Sequence, residues 1–375
     1  MVPAARWLVV ALLALAVCAP TAALHLLPAS DTHIGATALA HRMRAAIDTG
    51  WSGEVTTEGS LSVPLDGSTF GGVARLLGSR SQLRVWWQDD KNWRVDRISP
   101  TGETDVGREG GLAIRWSYEQ DSARLVSWSP IRLPDDNDLV PVALARRLLA
   151  GAEPDELSRI GPRRVAGHSA AGLRLTPSDP VSTIGRVDIW ADESTDVPLR
   201  IDVYGVGAAR RPILSSEVAH YTDRAPSGGR VRFAFSRGVD FRRSSSLDSV
   251  AAANAFAPFL LPMRLVGLER QGALSDLGAV GVYGRGPTAL LVIPLRDFTA
   301  KPLHKQLAHS HSARTTERSV ALEVGPLSVL LVEGLPAYPN PHLHDGGNFL
   351  LTGTVTPAAL RQAAVELQNG VLRTQ

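Results

Sequence analysis

QLRVWWQDDKNWRVDRISPTGETDVGREGGLAIRWSYEQDSARLVSW, residues 82–128, is the stretch on which the fold turns. Apolar and aromatic side chains recur at every second position. Leu83, Val85 and Trp87 come first, then Trp93 and Val95, then Leu112, Ile114, Trp116 and Tyr118, then Val126 and Trp128. A period of two is the period of strands with one apolar face. QDDKN, SPTGE and REGG separate the runs, and each is rich in turn-forming residues. The spacing predicts an antiparallel meander whose consecutive strands pair in order. Its apolar face is rich in tryptophan. Such a face is covered by helices or a second sheet, or else lines a ligand cavity. Trp86 and Trp87 are consecutive and must face opposite sides.

Working outward, Asp31 or Thr32 caps a helix that runs to about Asp48, with Ala36, Leu39, Ala40, Met43 and Ile47 on one face. Gly50 stops it. Residues 51–55 begin a strand, and residues 71–79 read as another. After Trp128, two prolines and DDND make a loop. Residues 139–150, LVPVALARRLLA, form an amphipathic helix placed to lie across the concave face of the sheet. Strands resume at residues 163–165 and 171–175. A hairpin follows (residues 185–190 and 199–204), then strands at 213–221 and 231–235. Many antiparallel strands interrupted by a helix predict a strongly curved sheet wrapped round one or two helices.

A chain of 375 residues is long enough for two domains. Residues 225–246, rich in Gly, Arg and Ser, hold the boundary. Beyond it come a short helix near residues 247–256 and strands at 280–283, 289–294, 320–324, 327–332 and 350–355. Thr356 then caps a closing helix with Pro357 at its first position. Its docking face is Leu360, Ala364, Val365 and Leu367. Residues 301–318, polar and with three histidines, read as an exposed, disordered loop.

The bulk numbers exclude several classes. Net charge is +2 with 20% charged residues, so no global field draws nucleic acid or an anionic membrane. Cys18 is the sole cysteine and lies in the N-terminal apolar run, which leaves the rest of the chain without a disulfide, a thiolate metal site or a catalytic thiol. That run, residues 7–27 after Arg6, is an export signal, either cleaved after a small residue or retained as an anchor. Lipidation at Cys18 is a third option, with Val17 a poor fit to it. The chain is therefore placed outside the cytoplasm, secreted or membrane-anchored.

Catalytic and metal motifs are weak. GHSAAG at residues 167–172 is one residue too long for a nucleophile elbow and lies between strands. VGVYGRG at residues 280–286 opens no helix and has no Gly-Lys-Thr, so it is no phosphate loop. His342, His344 and Asp345, with His309 and His311, have metal-ligand chemistry but a turn context. No nucleophile, base and orienting acid come together. The chain reads as a non-enzyme with no cofactor and no metal.

Three passages carry a resemblance: the WSG strand after the first helix, RVWWQDDKNWRVDRISPTGE, and the hairpin GRVDIWADESTDVPLRIDVYG. Over residues 32–240 the chain resembles the periplasmic LolA-like and RseB (MucB) family. LPMRLVGLERQG, GAVGVYGRGPTALLVIPL and NFLLTGTVTPAALRQAAVEL resemble the small C-terminal domain of the RseB type. The resemblance implies a mainly β fold with α: a half-open antiparallel β-barrel covered by helices (residues 31–240), plus a smaller α+β domain (residues 250–375). It implies an apolar cavity for an acyl chain of a lipid or lipoprotein. The alternative role it implies is an envelope-stress regulator that binds the extracytoplasmic part of an anti-sigma factor. The residues expected to line the cavity are Val85, Trp87, Trp93, Val95, Ile114, Trp116 and Tyr118.

Overall fold

The computed structural model describes residues 29–64, 70–100, 102–207, 210–235, 238–244, 246, 248–272, 278–335 and 347–373. The N-terminal apolar run with Cys18, and His342, His344 and Asp345, lie outside the described residues.

Two antiparallel meanders build the larger sheet. The first is β1 (Trp51–Gly59), β2 (Arg80–Asp89), β3 (Asn92–Ser99), β4 (Gly102–Glu109), β5 (Leu112–Ser117) and β6 (Ser122–Ser127). The second is β7 (Leu157–Val165), β8 (His168–Leu175), β9 (Ile184–Asp192), β10 (Pro198–Gly205) and β11 (Leu214–Thr222). Pairing of β1 with β11 joins them, and β12 (Asp240–Arg243) adds a parallel strand on β6 at one edge. The order β12-β6-β5-β4-β3-β2-β1-β11-β10-β9-β8-β7 is open. It is also rolled. The ring of His168 on β8 lies 5.0 Å from that of Tyr221 on β11, although three strand spacings of ~4.8 Å separate those strands in a flat sheet. The chain is thus a half-open barrel.

Helices fill the concave side. α1 (Ala36–Ala45) presents Leu39, Ala40 and Met43, all buried. α2 (Gly71–Gly78) packs beside β1, and α3 (Pro141–Leu148) lies over β10 and β11 and against α1. Leu144, Ala145 and Leu148 of α3 join Leu173, Ile189 and Ile201 of the strands in one core cluster. Each large side chain so buried contributes ~1.5–3 kcal/mol.

The chain then crosses the outer face of the sheet. α4 (Gly228–Val231) leads to Phe233, whose ring lies where Gly107 has no side chain; a Cβ there would come within 2.3 Å of it. α5 (Ser249–Phe256) follows, capped by Asp248, whose carboxylate accepts from the backbone N–H of Val250 and Ala251. Three two-residue strands come next: β13 (Phe259–Leu260), β14 (Arg264–Leu265) and β15 (Leu268–Glu269).

The smaller sheet has β16 (Gly281–Arg285), β17 (Thr288–Leu295), β18 (Arg314–Thr316), β19 (Ser319–Val324), β20 (Leu327–Leu335) and β21 (Gly347–Gly353), in the antiparallel order β16-β17-β21-β20-β19-β18. α6 (Asp297–Ala308) and α7 (Pro357–Gly370) cover opposite faces, and β22 (Leu372–Arg373) pairs with β13. Leu290, Val292, Phe349 and Leu351 point to α7. Ile293, Leu331 and Leu350 point to α5 and α6. Both faces being buried explains the near-continuous apolar runs of β17 and β21.

Several expectations fail locally: the first helix starts after Gly35 with no side-chain cap from Asp31 or Thr32, and Val365 of the closing helix is exposed, not docked. Residues 71–78 form helix, not strand, because Val73, Leu76 and Leu77 fall at helical spacing and Leu76 is buried on one face. Residues 301–318 are only in part an exposed loop: residues up to Ala308 belong to α6, whose buried stripe is Ala300, Leu303 and Leu307, with Pro302 inside the helix, and Arg314–Thr316 form β18. Residues 231–235 form no strand: Val231 ends α4, and residues 233–235 belong to no regular element. Thr356 does cap the closing helix, accepting from Ala359 N–H at 3.3 Å.

Candidate functional site

The strand register divides the seven expected lining residues between two faces. Val85 pairs with Val95 and Val95 with Val106 on the concave face. The Gly110-Gly111 turn then inverts the parity, so that Val106 faces Arg115 while Ile114 faces Gly107. Ile114 and Trp116 therefore lie on the outer face. Alternation reveals that a strand has two unlike faces, and only the turn decides which one looks inward.

On the concave face, Val85, Trp87, Trp93 and Val95 are packed against Ile47, Val140 and Val142 in one core cluster. Trp87 stacks on Trp93 with ring centroids 5.5 Å apart, and Trp93 meets Trp128 edge-on at 5.8 Å. The Trp87 indole N–H donates to the carbonyl of Ile47 at 2.7 Å. On the outer face, Trp116 meets Phe235 at 5.9 Å and Tyr118 at 5.6 Å, and Tyr118 is exposed. The seven residues thus form a scaffold on one side and an aromatic cluster on the other.

A sizeable apolar cavity lies elsewhere, between the smaller sheet and the helix and loops, α2 with residues 63 and 133–134, that the larger sheet carries toward it, with a volume of about 230 Å³. Its first wall is Val63, Phe70, Val73, Leu77, Leu133 and Pro134. Its second wall is Ala289, Leu291 and Ile293 of β17, Leu327 and Val329 of β20, Leu350 of β21, and Leu303 and Leu307 of α6. Thr352 and Thr354 are the polar side chains at its margin. Thr354 is committed elsewhere: its hydroxyl donates to Pro287 O at 2.5 Å and accepts from Ala289 N–H at 3.1 Å.

The wall helix α2 is fastened to the larger sheet. Arg75 donates to both carboxylate oxygens of Asp136, at 3.1 and 3.2 Å, and Arg97 donates to the same carboxylate at 3.1 Å. Phe70, just ahead of α2, is seated in the core of the smaller sheet with Val280, Ile293 and Leu303. A polar joint holds the two sheets together nearby. Arg285 binds the carboxylate of Glu156 and donates to Gly151 O at 2.7 Å. Burial pushes the Glu156 carboxyl up, yet hydrogen bonds from Arg285 and from the backbone of Glu153 and Ser178 hold it down at about 2. Thr183 adds a hydroxyl bond to Pro326 O at 2.6 Å.

An acidic cluster on β3 and β4 brings Asp96, Glu103 and Asp105 within ligand distance of one another. Arg94 already occupies it, donating to Asp96 at 2.6 Å and Asp105 at 2.7 Å. In the GHSAAG turn, His168 Nδ1 lies 3.2 Å from Asp192, while Ser169 Oγ accepts from Ser30 N–H at 3.2 Å. That serine is engaged away from the imidazole, so the turn does not assemble a nucleophile and its base.

No family model matches the chain, and no curated protein matches it. Among solved structures it is similar to a chain of the Pseudomonas aeruginosa MucA/MucB complex, at 17% identity and a TM-score of 0.48, covering 91% of this chain and 99% of that one. It is similar to MucB in complex with MucA(peri) at 16% identity and a TM-score of 0.47, covering 91% and 99%. A LolA superfamily protein from Nitrosomonas europaea is similar at 14% identity and a TM-score of 0.25, covering 53% of this chain and 98% of that one. At such low identity and scores, function is read from the site itself.

Proposed function

We propose that this is an extracytoplasmic binding protein that takes up an apolar ligand, the acyl chain of a lipid or lipoprotein, between its two sheets. The cavity of about 230 Å³ with an almost wholly hydrocarbon lining carries the reading. Water held there has too few polar partners to be stable, so the space favours an apolar occupant. Each Å² of apolar surface that leaves water on entry contributes about 25 cal/mol. No catalytic group is needed for this role. The half-barrel with Val85, Trp87, Trp93 and Val95 at its centre is the rigid body on which the first cavity wall is mounted. The export signal read in the N-terminal run supports the compartment. The resemblance seen in the sequence also implies a second role, binding an anti-sigma factor, and the cavity favours the first.

The test is native mass spectrometry of full-length protein purified gently from an exporting host. A co-purifying lipid or acyl species, lost in a folded Leu303→Trp variant, supports the reading. A clean apo mass with no uptake of a fluorescent fatty acid refutes it and turns the search to protein partners.

A further inference from the structure

We infer that the cavity between the sheets is built for one unbranched hydrocarbon chain, inserted tail-first, of which roughly nine carbons are enclosed. The inference rests on the proposed function and specifies its ligand. Three observations carry it.

The lining is aliphatic on both sides. Val73 and Leu77 of α2 line it together with Leu291, Leu303 and Leu307 of the smaller sheet and its helix, and Phe70 is the single aromatic ring among its described wall residues. One ring offers little to the flat faces of a polycyclic or aromatic ligand, which pairs best with several aromatic rings.

The margin offers little to a polar ligand. Thr354 uses its hydroxyl proton on Pro287 O and accepts from Ala289 N–H. Thr352 brings the other hydroxyl, at the half-buried margin, and a ligand hydroxyl or carbonyl pushed past it among the apolar wall residues would lose its water partners without replacement. Only the tail is welcome, and the head group stays outside.

The size sets the length. A dry cavity of ~150 Å³ holds one benzene, six carbons. By that measure about 230 Å³ takes roughly nine carbons of a chain. Two tails of one lipid do not fit together. The second chain of a two-chain lipid, or the rest of a long one, remains outside.

This predicts an affinity ladder with a step at its top. Each buried methylene strengthens binding roughly fourfold, until the cavity is full. We would measure displacement of a fluorescent fatty acid from the full chain by straight-chain fatty acids of about six to about sixteen carbons, under conditions where the acids are monomeric. The expected result is a rise of roughly fourfold per carbon that levels off at about nine or ten carbons. Leu303→Trp, which adds bulk on the α6 wall, should move the plateau to shorter chains. Val73→Trp, on the opposite wall, should do the same and serves if the first variant fails to fold. Affinity that climbs without a plateau, or that ignores both variants, places the chain elsewhere and overturns the inference while leaving a lipid-binding role intact. Tighter binding of a polycyclic or aromatic probe than of the acids of about nine carbons overturns it as well. If no chain binds at any length, the proposed function itself falls.

Discussion

Asp96 and Asp105 stand directly opposite each other in the β3–β4 ladder, each about 1% exposed. Like charges facing across a strand pair repel, and burial strips them of water. One guanidinium, Arg94, serves both carboxylates, and Glu103 adds a third negative charge beside them. Asp105 Oδ1 has no hydrogen-bond partner. Burial, and then the charge of Asp96, push the Asp105 carboxyl up to about 7. Burial raises Asp96 also. The folded protein therefore keeps a proton that the unfolded chain gives up near the ordinary carboxylate pKa of ~3.9. With more protons bound to the folded state, stability falls as pH rises through that window and levels off above about 7. The slope is at most ~1.4 kcal/mol per pH unit, so going from about pH 5.5 to about pH 7 removes up to ~2 kcal/mol. Asp105→Asn keeps the shape and removes the ionisation. Urea unfolding followed by tryptophan fluorescence, for both proteins between about pH 5.5 and about pH 8.5, isolates this pair from every other titrating group. The expected difference is a wild-type curve that declines relative to the variant up to about pH 7 and runs parallel above it. Parallel curves throughout, or a wild type that gains on the variant as pH rises, would refute the reasoning.

Two further substitutions probe the scaffold. Trp87→Phe keeps the stack on Trp93 but leaves the carbonyl of Ile47 without its indole donor; a loss of ~1–3 kcal/mol is expected in chemical denaturation. Gly107→Ala puts a methyl group where the Phe233 ring lies. The segment crossing the outer face should lift, and limited proteolysis near residues 223–244 should speed up while the concave core, read by its tryptophan fluorescence, stays intact.

The fold was largely legible because its signals are local. The period of two from Leu83 to Val95 and the hairpin at residues 185–204 each fix a strand pair from a short window. The Thr356-Pro357 pair likewise fixes a helix start. The parity of β5 was not legible, because a two-residue turn at Gly110-Gly111 decides it and both faces of that strand carry cover: core on one side, Phe233 and Phe235 on the other. Helix α6 was hidden by Pro302 and by its polar residues, His304 among them. A stripe of Ala300, Leu303 and Leu307 is short, and becomes apolar surface only when a sheet lies under it. The cavity was the least legible feature. Its walls lie on segments far apart in sequence, from Val63 to Thr354, and the gap between them follows from how two cores meet. The signal present was the composition of β17 and β21, whose runs are too apolar for a sheet with one wet face.

The β16–β17 hairpin ties the cavity to the joint between the sheets, and this leads to a last prediction. Arg285, at the end of β16, grips Glu156; Ala289, Leu291 and Ile293, along β17, form cavity wall. Gly286, in the turn between them, has φ of 52° and sits so close to the end of α3 that a Cβ would come within 2.6 Å of Leu148 O. The turn is thus pressed against the half-barrel, and the wall behind it is placed by that contact. Arg285→Ala leaves the buried Glu156 carboxylate with its bonds from Glu153 N–H, Ser178 N–H and the Ser178 hydroxyl but without its counter-charge. Losing charged hydrogen bonds of this kind costs ~2 kcal/mol. That loss falls on the joint, so the two walls should part more readily. An occupant that touches both walls binds only when they are together, and its affinity drops by the fraction of time they are apart. Arg285→Ala should therefore weaken fatty-acid binding although Arg285 is not among the cavity-lining residues, and saturating ligand should recover part of the lost thermal stability. A variant that is destabilised but binds with unchanged affinity, and gains no more stability from ligand than wild type does, would show that joint and cavity act independently.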